Sequence, residues 1–345
     1  MAPRARRNDD SSSMISQNIV RNQDHGWKHH LYSSVFSRNV ITSLALKPKP
    51  PQMRFGIGEW YGWPFVGLTP EQRGQFADSL AKSVICPFQI PETICKKKGG
   101  VCSLVLYQRA ADGKVSVAHG DKGTLRTVCP QRFEEGHAIY RWVGETVLGC
   151  KTPLVLGEIG FLESRSGEEG ELSGSDVGRI DKVLIAPNTH PLSWCALEVQ
   201  AVYFQGRAMQ FDFDLIRTHT GPELPFPKVL RRPDYRSSGP KRLMPQLQIK
   251  VPSLRRWGKK IAVVVDRSFF AAMGKMRTVS HISNCDVAWF VIRYERTAEG
   301  YKLVRDKVHL TTLEDSVEGL TAGVPVSLEV FEQRIIAKLK RLSGP

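Results

Sequence analysis

Between Trp194 and Val202 the chain reads Trp-Cys-Ala-Leu-Glu-Val-Gln-Ala-Val, an apolar strand pattern with one carboxylate inside it. A period of two puts Glu198 and Gln200 on one face and Leu197 and Val199 on the other. A carboxylate in such a strand is costly to bury unless it is paired or coordinates a cation. Short apolar or β-branched runs at 154–162, 180–185, 261–265, 287–294 and 303–310 predict further strands, with Pro, Gly, Asn or Ser marking several of the gaps. Helical patterns flank them. Thr69-Pro70-Glu71-Gln72 opens one, with Thr69 as N-cap, Pro70 at the first helical position and Gln72 completing a capping box. A second covers about 133–148, with Ile139, Val143 and Val147 on one stripe. A third covers 327–342, with Leu328, Phe331, Ile335 and Leu339 expected to face inward. Helices around a mixed strand set give an α/β (α+β) class.

Asp181 lies in Arg-Ile-Asp-Lys-Val-Leu-Ile, and sixteen residues separate it from Glu198. One Asp on one strand and an acid-x-polar pair on the next is a common way to hold the divalent ions that phosphodiester hydrolysis needs. Glu171, in Gly-Glu-Leu-Ser, is a possible further ligand, although its polar turn, with three glutamates between 167 and 174, favours a surface acid. From the motif alone, Glu198 could equally stand on a half-exposed edge strand.

The charge balance names the kind of partner. Lys and Arg total 49 against 34 Asp and Glu, a formal net charge of +15. A protein this basic meets a polyanion, with DNA favoured over an anionic membrane surface. Residues 228–260 hold eleven Lys and Arg against one acid, Asp234. Pro, Leu, Met, Val and Trp257 interrupt that run, so part of it packs on the core. The rest is expected to face DNA: Arg231, Arg232, Arg236, Lys241, Arg242, Arg255 and Arg256, most of them on phosphates and one or two on guanine edges.

Cys86, Cys95, Cys102 and Cys129 fall within 44 residues, beside turn-forming Pro and Gly, in the spacing C-x8-C-x6-C-x26-C. This is not a zinc-finger spacing, but four thiolates can hold zinc or iron in a tetrahedral structural site. Zinc is the commoner default. Cys150, Cys195 and Cys285 stand apart in apolar contexts and are expected to be buried and inert. The first residues lack a secretory h-region, and no apolar run reaches a membrane span. The reading is a cytoplasmic (prokaryotic) protein with a loose arm at 1–50, a metal-knot region at 51–131 and a core at 132–345. The aromatic group Trp60, Tyr61, Trp63 and Phe65 is expected to join the core.

Taken together, the chain resembles the NotI restriction endonuclease family from about Met53 onward. Its opening Arg-Phe-Gly-Ile-Gly-Glu-Trp-Tyr-Gly carries the likeness, as do the four cysteine contexts, Gly170-Glu171-Leu172-Ser173, Asp181, Leu197-Glu198-Val199-Gln200, Phe204-Gln205-Gly206, Val287-Ala288-Trp289-Phe290-Val291 and the basic terminal helix. The resemblance implies a PD-(D/E)xK nuclease core and a Mg²⁺-dependent homodimer that cuts double-stranded DNA at a GC-rich palindrome. It makes Asp181 and Glu198 metal ligands, Glu171 a supporting acid, and Gln200 the occupant of a position that is usually Lys. It shifts the metal of the four-cysteine knot from zinc to iron, and a restriction role brings the expectation of a cognate DNA methyltransferase. The rival from a different class is a non-catalytic DNA-binding protein with a structural metal knot.

Overall fold

The acid-bearing segment forms the strand Ser193–Val199, and its residues Cys195 to Glu198 are all buried. A strand buried on both sides needs cover on both faces. In the computed structural model it lies inside a six-stranded sheet ordered Tyr301–Thr311, Val287–Arg296, Ile261–Asp266, Ser193–Val199, Lys182–Ala186, Leu154–Leu156. Ile261–Asp266 runs parallel to both neighbours, and the outer pairings are antiparallel. The structure describes residues 50–78, 84–166, 171–323 and 326–342, with the side chains of 164–166 and 171–177 excepted. Apart from Pro50, the expected N-terminal arm lies outside the described residues.

Parallel neighbours require a crossover. The chain makes it through the helix Met244–Arg256, whose Leu247, Val251 and Leu254 pack against Ala196, Val263 and Val265. The opposite face is covered by Ala138–Val143, whose Ile139, Trp142 and Val143 meet Cys195, Leu197, Val264 and Phe290. The expected mixed α/β class is what forms. The helix expected over 133–148 is shorter and irregular. Gly136 and His137 take left-handed backbone angles, φ 51° and 55°, which end one turn before the next begins.

A second sheet, antiparallel throughout, is built on Gln52–Trp60 and Val101–Arg109. Trp60, Tyr61 and Phe65 are core residues, and Trp60 stacks on Phe213 at 5.1 Å. Trp63, expected with them, is exposed, because it sits in the two-residue return strand after the turn at Tyr61 and Gly62. The capping box forms. Gln72 N–H donates to Thr69 Oγ1 at 3.3 Å and Thr69 N–H donates to Gln72 Oε1 at 2.9 Å, at the head of the helix Pro70–Asp78.

The expected strand at 154–162 is broken. Leu154–Leu156 belongs to the main sheet, and Ile159–Ser166 pairs with Glu171–Ile180 as a hairpin. The terminal helix Leu328–Leu342 forms, but its stripe does not face inward. Leu328, Phe331, Ile335 and Leu339 are 71, 54, 44 and 54% exposed. Both faces of the main sheet are already covered by other helices, and Leu328, Phe331 and Ile335 stay exposed. Among the described residues, no helix is long and apolar enough to cross a membrane.

Candidate active site

Asp181 sits at the joint between the hairpin strand Glu171–Ile180 and the sheet strand Lys182–Ala186. Lys182 pairs with Leu197, so the same antiparallel register, carried one step, sets Asp181 opposite Glu198. Directly opposed residues present their side chains on one face. That face is the one covered by Met244–Arg256, because Ala196, two residues before Glu198, packs there.

The helix delivers a third charged group. Lys250 Nζ lies 2.6 Å from Glu198 Oε2 and 3.3 Å from Asp181 Oδ1, and also donates to Gln246 Oε1 at 3.1 Å. Lys250 and Glu198 are buried, while the Asp181 side chain is about half exposed. Burial pushes the Glu198 carboxyl up to about 7; Lys250 opposes the rise and Asp181 adds to it. Part of the basic run is expected to pack on the core, and Lys250 is a residue that does. Lys250 stands on the inward stripe of its helix with Leu243, Leu247, Val251 and Leu254. A lysine in the middle of an apolar helical stripe is the signal that could have found it.

Glu171 belongs to the hairpin. Its side chain lies outside the described residues, and its backbone opens the strand Glu171–Ile180, opposite Ser166. A strand of that length spans roughly 30 Å, so Glu171 starts at the far end of the hairpin from Asp181. The near position belongs to Glu158. The hairpin pairs Ile159 with Ile180 and the sheet pairs Leu156 with Val183, and both ladders, extended inward, set Glu158 opposite Asp181. Extended beyond their last pairs, the ladders thus line up Glu158, Asp181 and Glu198, with Glu158 and Asp181 lying between strands. The exposed Glu158 carboxylate meets Arg179 at 3.1 Å.

Gln200 lies just past the end of its strand. Its N–H donates to Val264 O at 3.0 Å and its Nε2 donates to Ala201 O at 2.7 Å. It lines a cleft of about 480 Å³ whose walls carry Lys97, Lys98, Arg207, Arg231 and Arg242 and no acid. Arg242 lies over the Tyr203 ring at 4.7 Å. Lys97, Lys98 and Arg207 come from distant stretches of the chain, outside the basic run.

A family model described as Restriction endonuclease NotI matches residues 72–303. The chain belongs to the NotI restriction endonuclease family. DNA is the substrate class that this membership implies. The match spans the four clustered cysteines, Asp181, Glu198 and Lys250, and ends before the terminal helix. Nothing among the curated proteins matches the chain.

On this NotI-family chain the seven cations expected at DNA are not equivalent. Arg232, Arg236, Lys241 and Arg242 are exposed, and so is Arg256, which reaches Ser253 Oγ at 3.4 Å. Arg231 is buried in an ion pair with Asp212, although it edges the cleft. Arg255 is held by Asp286 at 2.6 Å and Glu314 at 3.1 Å. The charges of these two are already neutralised within the fold.

The clustered cysteines come together. Cys86 and Cys102 pack with Phe88 and Cys95, and Cys129 N–H donates to Cys102 O at 3.1 Å. All are free thiols. Burial pushes Cys86, Cys102 and Cys129 up, and neighbouring thiols add to this: Cys95 for Cys86, Cys129 for Cys102, and both Cys95 and Cys86 for Cys129. Among the described residues, no three His, Cys, Asp or Glu side chains already stand in ligand geometry. Of the other cysteines, Cys195 and Cys285 are buried and Cys150 is half-buried.

Proposed function

We propose that this protein is a type II restriction endonuclease that hydrolyses phosphodiester bonds in double-stranded DNA with Mg²⁺, at a GC-rich palindromic site. The observation that carries this reading is the pairing of Asp181 with Glu198, close enough for one ammonium nitrogen to touch both. Two carboxylates that share one cation suit the hard-oxygen donor set of a divalent ion. Such an ion, held by Asp181 and Glu198, would polarise the phosphoryl oxygen and acidify the attacking water. The sheet is read as a PD-(D/E)xK core. Glu158, rather than Glu171, is read as the supporting acid, a reading supported by the two strand ladders, which line it up with Asp181 when extended. Gln200, at the lip of the basic cleft, is read as orienting water or phosphate. Arg232, Arg236, Lys241, Arg242 and Arg256 are read as holding the duplex through its phosphates.

The four-cysteine region is read as an iron site, with zinc as the alternative, which staples a part of the chain rich in turns. Cys86, Cys95, Cys102 and Cys129 fit it by their soft donors and their proximity. A homodimer would match the two-fold symmetry of a palindrome, and the exposed stripe of Leu328, Phe331, Ile335 and Ile336 supports a self-association surface. A cognate methyltransferase belongs to the same reading. The rival, a DNA-binding protein without catalysis, leaves a row of acids beside a cationic cleft unexplained, since acids repel DNA unless a cation intervenes.

Glu198→Ala tests the proposal. Plasmid cleavage in Mg²⁺ should be abolished while duplex binding persists. Full cleavage by that variant, or no cleavage of any DNA by the wild-type protein, would refute the nuclease reading.

A further inference from the structure

The strand motif Glu198-Val199-Gln200 carries no cation, yet hydrolysis of a phosphodiester concentrates negative charge on the phosphoryl oxygens. The fold supplies a cation from elsewhere. Lys250 approaches from the helix Met244–Arg256, and its Nζ touches both acids and Gln246 Oε1. Its neighbours Leu247 and Val251 fix the helix against the sheet. Packing alone does not account for the pair: apolar residues in place of both Lys250 and Glu198 would often stabilise as much, whereas loss of Lys250 alone leaves Glu198 buried without its partner. A function beyond packing accounts for a lysine here.

We propose that Lys250 is a catalytic residue: its ammonium bridges Asp181 and Glu198 in the metal-free protein, and hydrogen-bonds a non-bridging oxygen of the scissile phosphate once DNA and the divalent ion are in place. This rests on the nuclease reading above. The four-carbon stem lets the ammonium move by a few ångström while the helix stays docked. In the reaction a water oxygen bonds to phosphorus and one phosphorus–oxygen ester bond breaks. The leaving oxygen ends with a proton given up by the water. Lys250 gains and loses no proton overall; it supplies charge and a donor where the strand offers only Gln200. Before the metal binds, the same ammonium stands where a shared cation would bind, so it competes with that cation.

The competition separates this role from a structural one. In Lys250→Met and Lys250→Gln, Mn²⁺ titrated alone and followed by electron paramagnetic resonance should bind more tightly than in the wild type, by roughly tenfold, since one cation no longer repels another. Single-turnover plasmid cleavage at saturating Mg²⁺ should fall by about 100-fold or more. The glutamine variant keeps a donor for Glu198, which guards against loss of the fold, and thermal melting of both variants checks it. Wild-type cleavage rates in a folded variant would overturn the proposal. So would weaker Mn²⁺ binding together with a lowered melting temperature, which marks a lysine that only holds the helix in place. If Glu198→Ala is inactive while Lys250→Gln cleaves normally, the lysine role fails and the nuclease reading stands. A wild-type protein that cleaves nothing sinks both.

Discussion

At the scale of single residues, charged groups define this molecule more than apolar ones do. Arg132 is fully buried, three positions after Cys129. Its Nε lies 2.8 Å from Glu59 Oε2, its Nη2 donates to Tyr301 O at 2.9 Å, and its guanidinium lies over the rings of Phe88 and Tyr294. It links the cysteine region, the second sheet and the edge of the main sheet. Burial holds the Glu59 carboxyl above its usual range, and Arg132 opposes that. Breaking such a pair from one side leaves an uncompensated buried charge. Arg132→Met should therefore cost about 3–5 kcal/mol in urea denaturation. The double variant with Glu59→Met should lose less than Arg132→Met alone. A loss under about 1 kcal/mol from the single change would show that the pair contributes no more than a surface bridge.

Among the elements, the helix that carries Lys250 is tied at its C-terminal end by Asp286. This residue accepts from Arg255 and from Leu313 N–H at 3.0 Å, the start of the helix Leu313–Thr321. Burial alone would raise the Asp286 carboxyl, but Arg255 and the Leu313 N–H outweigh it and hold it below its usual range. A lowered folded-state value means that the stabilisation is complete above the ordinary carboxylate pKa and lost as pH falls through the lowered one. Asp286→Asn should therefore shift the urea midpoint down near neutral pH, and the gap to wild type should close below about pH 4. A gap unchanged between pH 7 and 3 would contradict this account. The strand pairings work at the same scale. Extended beyond their last pairs, they line up Glu158, Asp181 and Glu198, with no short-range motif joining the first acid to the other two.

For the whole molecule, net charge and one uncovered helix face decide the behaviour. The chain carries a formal charge of +15, and one cleft is lined by cations from three separate stretches of it. The terminal helix leaves Phe331, Ile335 and Ile336 in solvent, and a second copy of the chain is the partner read for them. Phe331→Glu should convert the proposed dimer to a monomer in light scattering at micromolar concentration, with the melting temperature of the main fold little changed. A wild-type protein that is monomeric throughout would remove the helix from this role.

The sequence by itself determined what depends on short-range periodicity and residue chemistry. The strand pattern with an acid inside it, the Thr69 cap, the α/β class and the gathering of four thiols were all legible, because a two-residue or 3.6-residue repeat and a cap are local properties. Asp181 and Glu198 could be named as partners, and the ladder brought them face to face. Tertiary structure alone decided which side chains enter the site from far along the chain. Lys250 read as one more basic residue until its helix docked on the sheet, and Arg231 read as a DNA contact until Asp212 met it. The hairpin register alone set Glu171 at the far end from Asp181, and the terminal helix kept its amphipathic pattern but left Phe331 and Ile335 exposed. Register, docking and occupancy of a sheet face are contacts between distant segments, and no repeat along the chain encodes them.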